Sequence, residues 1–127
     1  AIGEKADYEN AQNALTEERF EDSLILFERF LENYPDSPLS ASVIIARGNA
    51  YEGLGEIKKA ARAYLNSFSL YEDSPVAPEA LTLLGNALVS LGQTDAGCQT
   101  LAQVLMRFPD SDFSLEAEKM MSELQCP

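Results

Sequence analysis

Apolar residues recur along this chain with helical spacing. Phe20, Leu24, Phe27, Leu31 and Tyr34 stand at i, i+4, i+7, i+11 and i+14 and form one stripe. Glu21, Asp22, Glu28, Arg29 and Glu32 take the opposite side. No stretch alternates with the period of two that a half-buried strand shows. The spacing predicts seven helices, over residues 4–17, 20–34, 38–53, 57–71, 76–91, 94–107 and 112–125. The segment Phe20–Pro38 recurs without a gap, 37 residues on, over Ile57–Pro75, and again over Thr94–Asp112. Phe27, Tyr64 and Leu101 share one column, Tyr34, Tyr71 and Phe108 a second, and the Asp-Ser pairs 36–37, 73–74 and 110–111 a third. A period of this length is the signature of stacked helical repeats.

The punctuation agrees. Ser37-Pro38 and Ser74-Pro75 read as helix starts, with the hydroxyl capping an orphan N–H and proline at the first helical position. Pro78 falls in a first turn or moves that start to Ala77, and Asp110 or Ser111 caps the last helix. Gly53, Gly55 and Gly92 fall where helices end, and positive φ is expected there. Ala11, Gly48 and Gly85 form a small-residue column in the first helices, and Ser23, Ala60 and Gly97 one in the second helices. These columns let paired helices approach, while Phe27, Tyr64 and Leu101 are expected between neighbouring repeats. The fold class is therefore all-α. One domain over 1–127 holds hairpins at 4–37, 38–74 and 75–111 and a capping helix at 112–125.

Composition removes several functions. An apolar fraction of 46% argues against disorder. No run approaches the roughly 18 apolar residues of a membrane span, so no membrane insertion is expected. No signal peptide is visible at Ala1, so the chain reads as cytosolic, or as mature or trimmed. With 21 acidic against 9 basic residues the net charge is −12, which excludes gripping a nucleic-acid backbone. An acidic surface favours basic partners, beside its plain role in solubility. There is no histidine, and neither cysteine belongs to a C-x-x-C pair, so no zinc or thioredoxin-like site is indicated. The pairs Glu17–Glu18 and Glu21–Asp22 are adjacent and diverge on a helix. No D-x-D-x-D-G loop or nucleophile–base pair is present. No cofactor, no metal and no enzymatic activity are expected.

The small residue of the first helix, the small residue and aromatic of the second, and the closing Pro35 and Pro109 resemble the tetratricopeptide repeat. That repeat usually has a period of about 34 residues; the additional residues here fall in the Asp-Ser-Pro connection. More narrowly, F-E-D-S-L-I-L-F-E-R-F-L-E-N-Y-P-D-S-P-L, S-P-V-A-P-E-A-L-T-L-L-G-N-A-L-V-S-L-G-Q and C-Q-T-L-A-Q-V-L-M-R-F-P-D-S resemble the C-terminal domain of periplasmic Tol–Pal system proteins of the YbgF/CpoB type, over residues 7–126. Glu72 departs from the closing proline and Ala11 from the first glycine, and that family's N-terminal coiled coil is not in this sequence. The resemblance implies a right-handed superhelix. It also implies a non-enzymatic periplasmic module that binds TolA and helps coordinate envelope constriction and peptidoglycan synthesis at division. Its partners would be a TolA-like helical segment and the peptidoglycan synthesis machinery. The isolated domain would be monomeric, with oligomers forming through the coiled coil. A generic repeat scaffold, or a relative of outer-membrane assembly lipoproteins, is the competing reading.

In such arrays the first helices line the concave surface. Helical phase points Tyr8, Gln12, Leu15, Ile45, Asn49, Glu52, Thr82, Asn86 and Val89 into it, and Asn49 and Asn86 share a column. Tyr8, Ile45 and Val89 can equally be ordinary packing residues. Chaperone-binding tetratricopeptide domains clamp a terminal carboxylate with cations and amides. The matching positions here, Tyr8, Gln12, Ala46, Glu79 and Leu83, hold no cation, which disfavours an acidic terminal peptide.

Cys98 lies near the start of the sixth helix and Cys126 at the end of the last. A short turn near Asp110 makes these helices antiparallel neighbours. At about 1.5 Å of rise per residue, the two cysteines differ in height by roughly 6 Å, a gap that a bend past Gln125 would close. Two readings follow: a disulfide stapling the capping helix to the third repeat, or a buried free Cys98 with Cys126 loose. Resemblance to a periplasmic family favours the bridge, because disulfides follow oxidising compartments.

Overall fold

One left-handed residue per repeat turns each helix back on itself. The structure, a computed structural model, describes residues 2–127 and the side chains from Gly3 onward. Its elements run α1 (Ile2–Thr16), α2 (Phe20–Asn33), α3 (Ser40–Gly53), α4 (Ile57–Leu70), α5 (Ala77–Ser90), α6 (Thr94–Arg107) and α7 (Asp112–Glu123). No strand occurs among the described residues. Pairs α1–α2, α3–α4 and α5–α6 form three hairpins, and α7 closes the array.

Within each hairpin the turn residue is Glu18 (φ 60°), Gly55 (φ 76°) or Gly92 (φ 82°), one repeat apart. The next amide donates back five residues: Arg19 N–H to Ala14 O (2.8 Å), Glu56 N–H to Tyr51 O (2.9 Å) and Gln93 N–H to Leu88 O (2.9 Å). This is the Schellman pattern, which satisfies carbonyls that the helix end leaves open. Gly53 departs from expectation. It stays inside α3, and a Cβ there would meet the Phe20 ring at 2.3 Å. It is small for packing and does not carry the turn. Glu18 bears the left-handed cost that Gly55 and Gly92 avoid, about 1–2 kcal/mol for an L-residue. Glu18→Gly is therefore expected to stabilise the domain by about 0.5–1 kcal/mol after the extra backbone entropy of glycine. Gly55→Ala should destabilise by a similar amount. Urea midpoints of both variants check the pair of signs.

Between hairpins the device is a serine. Leu39 N–H donates to Ser37 Oγ (3.0 Å), Val76 N–H to Ser74 Oγ (3.2 Å) and Phe113 N–H to Ser111 Oγ (3.1 Å). The expected caps at Ser37 and Ser74 are corrected: α3 and α5 start at Ser40 and Ala77 behind Leu39 and Val76, which make no side-chain cap, and Pro38 and Pro75 lie before the helices, in the turns that the serine hydroxyls close. Ser40 N–H reaches Ser37 O (3.1 Å) and Ala77 N–H reaches Ser74 O (3.0 Å). These i→i+3 bonds close a tight turn before the α-helix starts, a common helix entry. Ser111, with no proline after it, caps α7 directly. The aromatic column Tyr34, Tyr71 and Phe108 supplies the residues that end α2, α4 and α6, with φ near −131°, −135° and −133°.

The small columns set helix separation. A Cβ on Gly48 would lie 2.4 Å from the Tyr64 ring, and one on Gly85 2.8 Å from Leu101. Phe27, Tyr64 and Leu101 are fully buried. Tyr64 and Leu101 lie over the glycine of their own hairpin and, as expected, also join the cluster that runs on into the neighbouring elements. The first hairpin and α3 share one cluster around Phe27, Phe30 and Val43. The second and third hairpins and α7 share a larger one around Tyr64, Phe68, Leu81, Leu101, Val104 and Ala117. Cys98 and Cys126 form a disulfide, with Cα atoms 5.7 Å apart. The bend comes from Gln125 (φ 56°), where Cys126 N–H donates to Met121 O (2.9 Å).

Candidate functional site

At the two ends of the array the odd-numbered helices approach one another, α1 with α3 and α5 with α7, while α3 and α5 make no comparable approach and none is found among α2, α4 and α6. The array therefore bends with the odd helices on its inner side. On α1, Gln12 Nε2 donates to Tyr8 Oη (2.7 Å) and holds both side chains in place. On α3, Asn49 Oδ1 accepts from the Tyr64 hydroxyl (2.8 Å). That bond fixes the amide and leaves its NH₂ donors for other work. Asn86 occupies the same column and is exposed. Its counterpart of Tyr64 is Leu101, which has no hydroxyl to offer. Leu15 and Glu52 are half-buried.

Two of the expected residues, Ile45 and Thr82, are buried. Ile45 is 3% exposed and belongs to the large core cluster. Thr82 is 2% exposed, and its hydroxyl donates to Pro78 O within the helix (2.8 Å). Val89 packs over Gly97, where an added Cβ would meet its Cγ2 at 2.4 Å. Helical phase pointed Ile45 and Thr82 into the groove, but small residues narrow the hairpins, so the packed arc of α3 and α5 is wider than an ordinary amphipathic stripe, and Val89 is half-buried at its edge. Tyr8, Gln12, Leu15, Asn49, Glu52 and Asn86 remain on the surface or at its edge.

The structure adds acidic groups that helical phase had not assigned. Burial pushes the Tyr64 phenol well above its ordinary value, and the carboxylates of Glu52 and Glu79 add to the shift. Partial burial raises the Glu79 carboxyl, and Glu116 of α7 reinforces it. Glu52, Tyr64, Glu79 and Glu116 thus form one acidic neighbourhood beside Asn49. Glu79 was legible in principle, since residues 79, 82 and 86 lie at i, i+3 and i+7 on α5. Glu116 was not, because only packing brings α7 against α5.

These shifts give a pH prediction. Tyr34 is also raised, first by its hydrogen bond to Asp7 Oδ2 (2.8 Å). A phenol raised in the fold contributes stability that is complete below its unfolded value of 10.0 and lost as pH climbs past it. Alkaline titration at 295 nm should show Tyr64 ionising only together with the loss of helical circular dichroism, and Tyr64→Phe should remove that late step. Simultaneous ionisation of all five tyrosines near pH 10 with helicity intact would refute this placement.

No group of three or more potential metal ligands occurs among the described residues, and no described helix is long and apolar enough to cross a membrane. Residues 79–111 match the tetratricopeptide repeat family. The match covers nearly all of α5, the whole of α6, and the chain to the Ser111 cap, including Gly85, Gly97, Leu101 and Pro109. No curated protein matches the chain. The fold is thus a tetratricopeptide-like solenoid of helical hairpins with a terminal helix. Repeats of this family are generally non-enzymatic scaffolds for protein partners.

Proposed function

We propose that this chain is an interaction module of the Tol–Pal system. It binds a TolA-like helical segment in the periplasm and helps couple envelope constriction to peptidoglycan synthesis at division. The inner surface of the odd helices is the binding face. One observation carries the reading. The amide of Asn49, fixed by Tyr64, stands within an acidic neighbourhood of Glu52, Glu79 and Glu116. Oriented amide donors suit a partner's polar groups, and crowded carboxylates suit its cations. An incoming lysine would relieve the burial and the Glu116 repulsion that raise Glu79. The Cys98–Cys126 bridge supports an oxidising compartment.

Calorimetric titration with the isolated helical middle domain of TolA tests the proposal. Saturable binding should weaken as salt rises, because exposed charges are screened beyond about 10 Å at 0.1 M ionic strength. It should also weaken as pH falls and Glu79 takes up its proton. Tyr8→Ala combined with Asn49→Ala should cost at least tenfold in affinity, about 1.4 kcal/mol. Unchanged affinity in that folded double variant would remove the inner surface from the mechanism. Absence of any heat would move the function to a generic scaffold.

A further inference from the structure

The chain is strongly acidic, yet four of its nine basic residues, Arg47, Lys58, Lys59 and Arg62, fall within one hairpin. Three of them line a single cavity of about 190 Å³ with Tyr51, Ala63 and Asn66. Arg47 and Tyr51 belong to α3, and Lys59, Arg62, Ala63 and Asn66 to α4, so the cavity opens along the two helices of this hairpin. Its lining includes none of Tyr8, Asn49, Glu52, Glu79 and Glu116, so it is distinct from the binding face proposed above.

Arg47 sets this cavity apart from a solvated basic face, and exposed Arg62 and Lys59 stand at its rim. Arg47 Nε is buried and meets no acceptor among the described residues. Its Nη2 reaches only Glu28 Oε1 of α2, at 3.7 Å, too long for a hydrogen bond. Arg62 has no ion-pair partner among the described residues. Lys59 lies over the Tyr51 ring, 5.8 Å from its centroid, and pairs with exposed Glu56 at 3.3 Å. The repeat itself does not require these cations. In the third repeat the positions of Arg47, Lys59 and Arg62 hold Leu84, Ala96 and Gln99, and in the first they hold Asn10, Asp22 and Ile25. Equivalent hairpins form without them, so hairpin packing does not explain their gathering.

We propose that this cavity is a binding site for one small oxyanion, a phosphoryl or carboxylate group. A guanidinium whose Nε–H has no acceptor among the described residues completes a bidentate fork for such a group once its side chain turns toward the cavity. Arg62, Lys59 and the Asn66 amide can meet its remaining oxygens. The volume is that of about six waters at roughly 30 Å³ each, enough for one charged group with its hydration. The net charge of −12 repels polyanions such as nucleic acid, while a small anion inside the cavity faces mainly the local cations. Glu28 is the internal competitor at its rim.

The Arg47 Nε–Hε resonance of the folded domain reports the site directly. Inorganic phosphate, titrated against sodium chloride at constant ionic strength, should shift it saturably. Arg62→Gln, at an exposed position, should weaken the apparent affinity at least tenfold, and Glu28→Gln should strengthen it several-fold. Acetate is the second probe. A saturable shift with both anions identifies a carboxylate-tolerant site, and one with phosphate alone a phosphoryl site. A shift that fails to saturate with either anion overturns the proposal. So does saturation that Arg62→Gln leaves unchanged.

Discussion

Gly97→Ala is expected to lower the stability of this domain by about 2–3 kcal/mol, although the same change in an exposed helix would raise it by about 0.5–1 kcal/mol. The decision lies in the space available. A Cβ at position 97 would meet Val89 Cγ2 at 2.4 Å, Gly85 O at 2.9 Å and Val89 N at 3.3 Å. The valine methyl can rotate away, but the carbonyl and amide belong to α5 and move only if the whole hairpin opens. Overpacking therefore outweighs the gain in helix propensity. A melting temperature lower by roughly 10 °C is the expected readout for a domain of this size. Val89→Ala removes one of the three obstacles and should rescue part of the loss, so the double variant will be non-additive. A neutral or stabilising Gly97→Ala would mean that α5 and α6 do not approach as closely as Gly85 and Gly97 allow.

Removal of the disulfide is expected to cost more. Cys98 and Cys126 enclose a separation of 28 residues, and the chain-entropy model assigns such a loop about 3–4 kcal/mol. The native-state consequence is local. α7 covers the end of the large core through Ala117, with Met120, Met121 and Leu124 at the margin, and the bridge fastens its far end to α6. Cys98→Ala with Cys126→Ser should lower the denaturant midpoint without changing helix content at neutral pH. Amide exchange should accelerate first in α7 and the facing side of α6. Reductant should have the same effect on the native chain and none on the double variant. If native protein melts identically with and without reductant, α7 is held by packing alone.

Both predictions rest on features the sequence displayed in different degrees. Gly85 and Gly97 were visible as members of two small-residue columns. That they touch each other, Cβ position against carbonyl, depended on how α5 lies across α6. Gly53 shows the opposite error. Its place near a helix end suggested a turn, yet the turn belongs to Gly55, and Gly53 is small because the Phe20 ring lies over it. The cysteine pair was legible as two antiparallel positions offset in height, and the left-handed Gln125 supplied the bend that joined them. At the candidate surface, Tyr8, Gln12, Asn49 and Asn86 followed from helical phase. Ile45 and Thr82 did not stay on the surface, because close hairpins bury a wider arc than phase alone anticipates.

By itself the sequence determined the seven helices, their hairpin pairing and the repeat register. Those depend on local terms: apolar spacing, serine-closed turns, and the residue that takes positive φ. It also determined the acidic balance and the lack of histidine, which are matters of composition. Only the tertiary structure decided which small residues meet a neighbouring helix, and that Tyr64 orients Asn49. It alone brought Glu116 to Glu79, and Arg47, Lys59 and Arg62 to one cavity. These are distances between side chains on different helices. They follow from the angle at which whole hairpins pack, which no single stretch of sequence encodes.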